Sequence, residues 1–157
     1  FLKLLGNGKE FGLRHINYTY QEGEGGIAEA LNLAEFFAAG DRICVVLGDN
    51  IIEKNVQKAA EAFRKKKGGS KILLKEVSDP QRFGVPELKG DRVVRVEEKP
   101  KVPKSPYAVI GIYFYDAAVF DIIKTLKPSG PAPPPEQAWL FYLLCDIYHL
   151  RLSPRSW

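Results

Sequence analysis

The five apolar residues Ile43-Cys44-Val45-Val46-Leu47 stop abruptly at Gly48-Asp49-Asn50, and this boundary constrains the fold more than any other stretch. Three of the five are β-branched, which suits a strand covered on both faces, the usual state in a parallel sheet. A short apolar run does not by itself exclude helix, so the flanks decide. A helical pattern closed by Gly40 precedes it and another helical pattern follows it. The order helix, strand, helix predicts an α/β layer, in which ligands collect beyond the carboxyl ends of strands. Two readings of the boundary stay open. Gly48 lets the backbone turn while Asp49 holds a hard cation such as magnesium, or Gly-Asp-Asn is turn chemistry that caps the next helix.

Elsewhere the periodicity switches between strand and helix. Phe1 to Phe11 reads as a frayed helix or loop ending in a glycine-rich turn, and Leu13 to Tyr20 alternates as a strand. Ile27, Ala30, Leu31, Ala34, Phe37 and Ala38 then fall on one helical face. The glycines Gly23, Gly25 and Gly26 thus stand between a strand and a helix N-terminus, where free N–H groups bind an anion or a base edge, or simply form a solvent loop. Val56, Ala59, Ala60 and Phe63 mark a helix that covers the sheet, and Lys71 to Val77 a further strand. Gly90-Asp91 joins two short runs as a hairpin, with Pro86 confining its arm to an edge. Tyr107 to Tyr115 is a central strand whose Gly111 permits close approach by a ligand or another backbone. Asp116 is a good N-cap for a helix carrying Val119, Ile123 and Leu126. Beyond Gly130 come Pro131 to Pro135 and an aromatic and aliphatic stretch, Trp139 to Leu152, without clear period.

With 157 residues, 45% of them hydrophobic, the chain can bury a sizeable core as one domain or part of one. Its formal charge of +4 comes largely from Lys65-Lys66-Lys67 and scattered pairs, which a solvated helix end explains without nucleic acid. Cys44 and Cys145 have no cysteine neighbours. No disulfide framework or thiolate metal site is expected, which favours a reducing cytoplasm. No apolar run approaches the ~18 residues that a membrane helix needs. The first residue is Phe and Met is absent, which suggests a segment of something longer.

Five stretches taken together resemble the sugar-1-phosphate nucleotidylyltransferases, within them the thymidylyltransferases acting on glucose 1-phosphate. They are Gly26 to Ala30, Leu47 to Ile51, Asp79 to Val85, Glu97 to Lys101 and Tyr107 to Asp116, in that order. The resemblance runs from about residue 13 to 130. It implies a Rossmann-like nucleotidyltransferase fold of the α/β class, with a mixed, mostly parallel sheet flanked by helices, incomplete here. Residues 1–130 would form a partial nucleotidyltransferase domain and 131–157 a divergent tail.

The resemblance also implies roles. Gln21 and Gly26 match residues that read the pyrimidine edge, and Asp49 the carboxylate that binds magnesium. Gly84 matches the glycine lying against the sugar, Glu98 the acceptor of sugar hydroxyls and Lys99 the ammonium meeting the sugar phosphate. Tyr113 matches an aromatic lining the sugar pocket, although core packing explains it almost as well. The implied substrates are a nucleoside triphosphate, dTTP or UTP, and a sugar 1-phosphate, with Mg2+ as cofactor. No nucleic acid or membrane partner is implied, and the parent protein is expected to be a homo-oligomer.

In the implied reaction the sugar phosphate attacks the α-phosphorus of the nucleotide. It is already anionic, so the site needs alignment and charge neutralisation rather than a general base. The family's glycine-rich opening, with the arginine and lysine that hold the triphosphate, is not found in this sequence, and after Gly130 the acidic segment leading to a second metal aspartate is replaced. The chain alone is therefore expected to bind weakly and lack activity. A non-catalytic module that senses nucleotide sugars is the alternative. A dinucleotide-dependent oxidoreductase fits poorly because Gly23 to Gly26 lacks the G-x-G-x-x-G spacing.

Overall fold

The apolar run forms a strand, Ile43–Val46, at one edge of a six-stranded sheet, and Leu47 lies just beyond it. The computed structural model describes residues 1–23, 26–125 and 150–152. The helices are α1 (Leu2–Leu5), α2 (Gly26–Asn32), α3 (Glu35–Ala38), α4 (Gln57–Arg64) and α5 (Ala118–Thr125). The strands are β1 (Ile43–Val46), β2 (Ser70–Glu76), β3 (Gly84–Lys89), β4 (Arg92–Glu98), β5 (Tyr107–Tyr115) and β6 (Leu150–Leu152), ordered β1-β5-β2-β6-β4-β3.

The expected α/β layering is present. Ile72, Tyr113 and Tyr115 point to one face of the sheet and pack with Leu31 of α2, Ala38 of α3 and Val119, Phe120 and Ile123 of α5. Leu73, Ile112 and Phe114 point to the other face and pack with Ala59 and Phe63 of α4. This alternation is the two-residue period of a strand buried on both sides. The Phe63 and Phe114 rings lie 5.7 Å apart at a 39° tilt.

The sheet is mixed, but the expectation that it is mostly parallel is corrected. Among the described residues only β2 and β6 pair in parallel; the other four pairings, β1–β5, β2–β5, β3–β4 and β4–β6, are antiparallel. The cause is β5. The segment β1–α4–β2 is a crossover whose strands run the same way, and β5 inserts between them in the opposite sense.

Three local expectations also change. Residues 13–20 form no strand. Instead Tyr18 donates its hydroxyl to the carbonyl of Gly6 at 2.7 Å, and Ile16 packs against Gly8. The helical pattern of residues 27–38 breaks at Leu33-Ala34 into α2 and α3, and left-handed Ala39 and Gly40 end it. Strand β1 is covered on one face only among the described residues: Cys44 and Val46 are exposed.

Other local readings hold among the described residues; Leu126 of the last helical stripe and Gly25 of the glycine loop lie outside them. Arg42 donates to the carbonyls of Phe63 (3.0 Å), Arg64 (2.5 Å) and Lys66 (2.6 Å), satisfying the C-terminal end of α4. The β3–β4 hairpin turns at Gly90-Asp91, and Pro86 lies on the outermost strand, where its missing N–H costs no ladder bond. Asp116 accepts from the N–H groups of Ala118 (3.1 Å) and Gly69 (2.5 Å), joining the start of α5 to the entrance of β2. The Pro131–Pro135 run and most of the aromatic stretch lie outside the described residues. The end of that stretch, Leu150–Leu152, forms β6 between β2 and β4.

Candidate active site

Antiparallel register brings Gly84, Glu98 and Tyr113 to one face of the sheet. In β3–β4, Gly84 pairs with Glu98 and Pro86 with Val96, so Glu98 shares the face of the buried core residue Val96. A Cβ built on Gly84 would stand 3.1 Å from Glu98 Oε2, 3.3 Å from Val96 Cγ1 and 3.7 Å from Val109 Cβ. The third of these neighbours belongs to β5. Four residues further along β5 is Tyr113, which pairs with Val45 of β1 and stacks on Tyr115 at 6.1 Å.

Tyr113 is 2% exposed, and its hydroxyl is held well above the usual tyrosine range. Burial is the main cause, followed by the negative charges of Glu98 and then Asp49. The phenol therefore remains protonated, with the charges of Glu98 on β4 and of Asp49 beyond the exit of β1 both acting on it. Asp49 is exposed, beyond the last residue of β1, and accepts a 2.9 Å hydrogen bond at Oδ1 from the Asn50 amide. This leaves Oδ2 without a hydrogen-bond partner among the described residues.

Lys99 follows Glu98 directly. Its φ of +45° is left-handed, and its N–H donates to the Phe83 carbonyl at 2.9 Å, so the chain turns sharply as β4 ends. Its side chain is exposed, with no ion pair among the described residues. On the nucleotide side, Gln21 donates from Nε2 to the Gly26 carbonyl (3.2 Å) and to Glu29 Oε2 (2.5 Å). Gly26 opens α2 with φ +72°, and its neighbours Ile27 and Ala28 pack on the same cluster as Tyr113. The structure thus joins Gln21 to Gly26 by a hydrogen bond and sets Gly84 against Glu98 and Val109 on the sheet face that buries Tyr113, while Asp49 and Lys99 stand exposed beyond the ends of β1 and β4.

Two residues were not singled out from sequence. Glu29 orients the Gln21 amide, and its signal is its place one helical turn after Gly26. Asn50, which orients Asp49, was read only as a possible cap; its signal is adjacency to an acidic residue at a strand exit. A shallow surface hollow lies elsewhere, lined by Val85, Glu87, Arg95, Glu97, Pro100 and Lys104. Val85, Glu87, Arg95 and Glu97 alternate with the Gly84–Glu98 pair and so face the other side of the hairpin.

Magnesium takes one or two carboxylates and fills its shell with water and substrate phosphates. Asp49 fits that use: it is exposed and offers a hard oxygen not otherwise hydrogen-bonded. Among the described residues, no group of three or more His, Cys, Asp or Glu stands ready to enclose a metal.

The geometry can be set beside known proteins. Residues 1–150 match the family model described as nucleotidyl transferase. The glucose-1-phosphate thymidylyltransferase of Neisseria meningitidis serogroup A is 41% identical over 133 residues, covering 83% of this chain and 46% of its own length. That of Actinoplanes sp. is 40% identical over 136 residues, 83% of this chain and 43% of its own. The chain thus spans less than half the length of these relatives. A crystal structure of a putative glucose-1-phosphate thymidylyltransferase from Bacillus anthracis, in complex with a sucrose, superposes with a TM-score of 0.87 at 42% identity, over 99% of this chain and 62% of that one. A UDP-glucose pyrophosphorylase complexed with UDP-glucose, 18% identical, shares the fold over 97% of this chain and 62% of its own (TM-score 0.74). With its expected α/β architecture and this match along nearly its whole length, the chain belongs to the nucleotidyl transferase family.

Proposed function

We propose that the protein containing these residues is a sugar-1-phosphate nucleotidylyltransferase of the glucose-1-phosphate thymidylyltransferase type. It joins a sugar 1-phosphate to the α-phosphorus of dTTP, or of UTP, and releases pyrophosphate. The observation that carries this reading is the close Gly84–Glu98 pair beside Val109, on the sheet face that buries Tyr113, whose hydroxyl feels the charges of Glu98 and Asp49. In this reading Glu98 accepts sugar hydroxyls, Gly84 leaves room for the ring beside it, and Tyr113 lines the pocket as a neutral phenol. Lys99, turned outward after β4, meets the sugar phosphate. Gln21 and Gly26 take the base edge: both Gln21 N–H groups are engaged within the protein, which leaves its carbonyl oxygen as acceptor.

Asp49 would hold Mg2+. When bound, the ion neutralises phosphate charge and makes the α-phosphorus a better electrophile. The chain's own residues do the rest by alignment, since an anionic phosphate nucleophile needs no proton removed. We further propose that the protein works in the cytoplasm, where the exposed free thiol of Cys44 is at home, and that it assembles as a homo-oligomer. Among the described residues no helix is long and apolar enough to cross a membrane.

Residues 1–157 contain no glycine-rich triphosphate cradle with its arginine and lysine, and this chain alone is proposed to bind substrates without efficient turnover. The division into a nucleotidyltransferase part, 1–130, and a divergent tail, 131–157, belongs to the same proposal. Pyrophosphate release from glucose 1-phosphate, dTTP and magnesium tests it. Turnover by this chain at the rate of a complete relative would overturn the inactivity, and failure of the chain to bind either substrate would overturn the reading itself. The second reading, a non-catalytic sensor of nucleotide sugars, is favoured by Asp49 standing as the one candidate metal carboxylate among the described residues. It requires nucleotide-sugar binding that is insensitive to magnesium.

A further inference from the structure

Gly111 interrupts β5 with φ +65°, a left-handed conformation in the middle of a strand. The ladder to β2 steps from Ile72–Tyr113 to Leu74–Val109, so Ile110, Gly111 and Ile112 stand opposite Leu73 alone. The surplus forms a bulge. Bulges re-aim the residues that follow and gather beside functional sites. On its other side the Gly111 carbonyl accepts the N–H of Leu47 at 2.9 Å, just before Gly48-Asp49-Asn50.

The missing side chain of Gly111 is filled by a neighbour. A Cβ built there would overlap the Asn50 amide nitrogen and lie 3.1 Å from both Asn50 Cγ and Leu47 Cδ1. The same amide nitrogen donates to Asp49 Oδ1 at 2.9 Å. The notch, the amide and the carboxylate therefore form one chain of contacts reaching from the strand to the exposed acid.

We infer that Gly111 is a positioning residue for Asp49: its bare backbone seats the Asn50 amide, and the seated amide fixes one oxygen of the carboxylate and leaves the other facing out. The assignment rests on the proposed role of Asp49, but its geometry is measured independently of catalysis. The close approach expected at this glycine is thus made by a side chain of the same protein.

The test uses the full 157-residue chain labelled with 15N, following the side-chain amide resonances of Asn50. Asp49→Ala removes the nearer acceptor of the amide, leaving the Leu47 carbonyl at 3.5 Å, and shifts these resonances. Gly111→Ala shifts them in the same direction while the remaining spectrum keeps its dispersion, and the double variant adds nothing to Gly111→Ala. Resonances that ignore Asp49→Ala, that stay in place in Gly111→Ala, or that show two summed effects overturn the assignment. If Gly111→Ala does not fold, Asn50→Ala is added to it. Recovery of the fold shows that the notch exists for the amide, whereas continued unfolding shows that the bulge alone needs glycine and overturns the assignment. Failure of the wider functional reading is seen separately, as absent substrate binding by a chain in which the Asn50 resonances still follow Asp49.

Discussion

Gly84 and Glu98 face one another across the β3–β4 ladder so closely that a methyl group on Gly84 would come within 3.1 Å of the Glu98 carboxylate. Gly84→Ala must push that carboxylate aside by a few tenths of an ångström, because Val96 and Val109 close the other directions. The fold should tolerate this, since the displaced atoms end a flexible side chain. Recognition should not: affinity for the sugar 1-phosphate is expected to fall roughly tenfold, as small misplacements at a reacting centre do. Calorimetric titration with glucose 1-phosphate, beside a thermal melt, checks both halves. Unchanged affinity would remove Glu98 from the sugar site.

The Tyr113 phenol gives a pH signature. Burial, Glu98 and Asp49 all favour its neutral form in the folded protein, so its folded pKa lies above the unfolded value of about 10. The unfolded chain therefore loses this proton first as pH rises, and by linkage the stability it confers is complete below pH ~10 and is lost above it. Tyr113→Phe has no proton to lose. Its stability in urea should decline less steeply than wild type above pH ~10, with no such difference at pH 7 to 9. Parallel curves would mean that the surroundings of the phenol, burial first among them, do not hold it in its neutral form.

Arg42 supports a different link, from helix end to strand entrance. Its guanidinium donates to the carbonyls of Phe63, Arg64 and Lys66 and lies 5.6 Å from the centroid of the Phe63 ring. Arg42→Ala leaves these carbonyls to water and should cost about 1–2 kcal/mol, seen as a melting temperature lower by about 3–6 °C. Arg42→Lys cannot span the same fork and should recover only part of the loss.

Much of this arrangement was legible because its causes are local. Gly90-Asp91 announces its hairpin, Val56 to Phe63 its buried helix face, and Gly48-Asp49 a strand exit. The pairing direction was not legible: the strand between β1 and β2 lies some thirty residues beyond β2 in the chain, and nothing in Ile43 to Leu47 says that its neighbour will be antiparallel. The alternation of Leu13 to Tyr20 misled for the same reason, since a strand exists only where another offers its backbone. At the site, residue types could be matched one by one, but the facing of Glu98 and Gly84 depends on ladder register, and the seating of Asn50 beside Asp49 on a bulge at Gly111. Lys71, buried in β2 with its ammonium pKa lowered by desolvation, was equally invisible in a run read only as a strand.

Lys99 should reveal a conflict between stability and binding. Its φ of +45° suits glycine and burdens a side chain with a Cβ, yet it directs the chain out of β4 while its N–H is held by Phe83. Strain of this kind persists where the residue serves something other than stability. Lys99→Gly is therefore expected to stabilise the fold by about 0.5–1 kcal/mol, a gain partly offset by the greater freedom of glycine in the unfolded chain. The same change removes the proposed cation for the sugar phosphate and should weaken glucose 1-phosphate binding at least tenfold, about 1.4 kcal/mol. Lys99→Ala separates the two effects, because it retains the backbone strain and loses only the ammonium: its binding should fall as far as that of Lys99→Gly, with no gain in melting temperature. Wild-type affinity in both variants would show that the Lys99 ammonium plays no part at the phosphate. A Lys99→Gly protein that melts no higher than Lys99→Ala would show that the turn after β4 carries no strain.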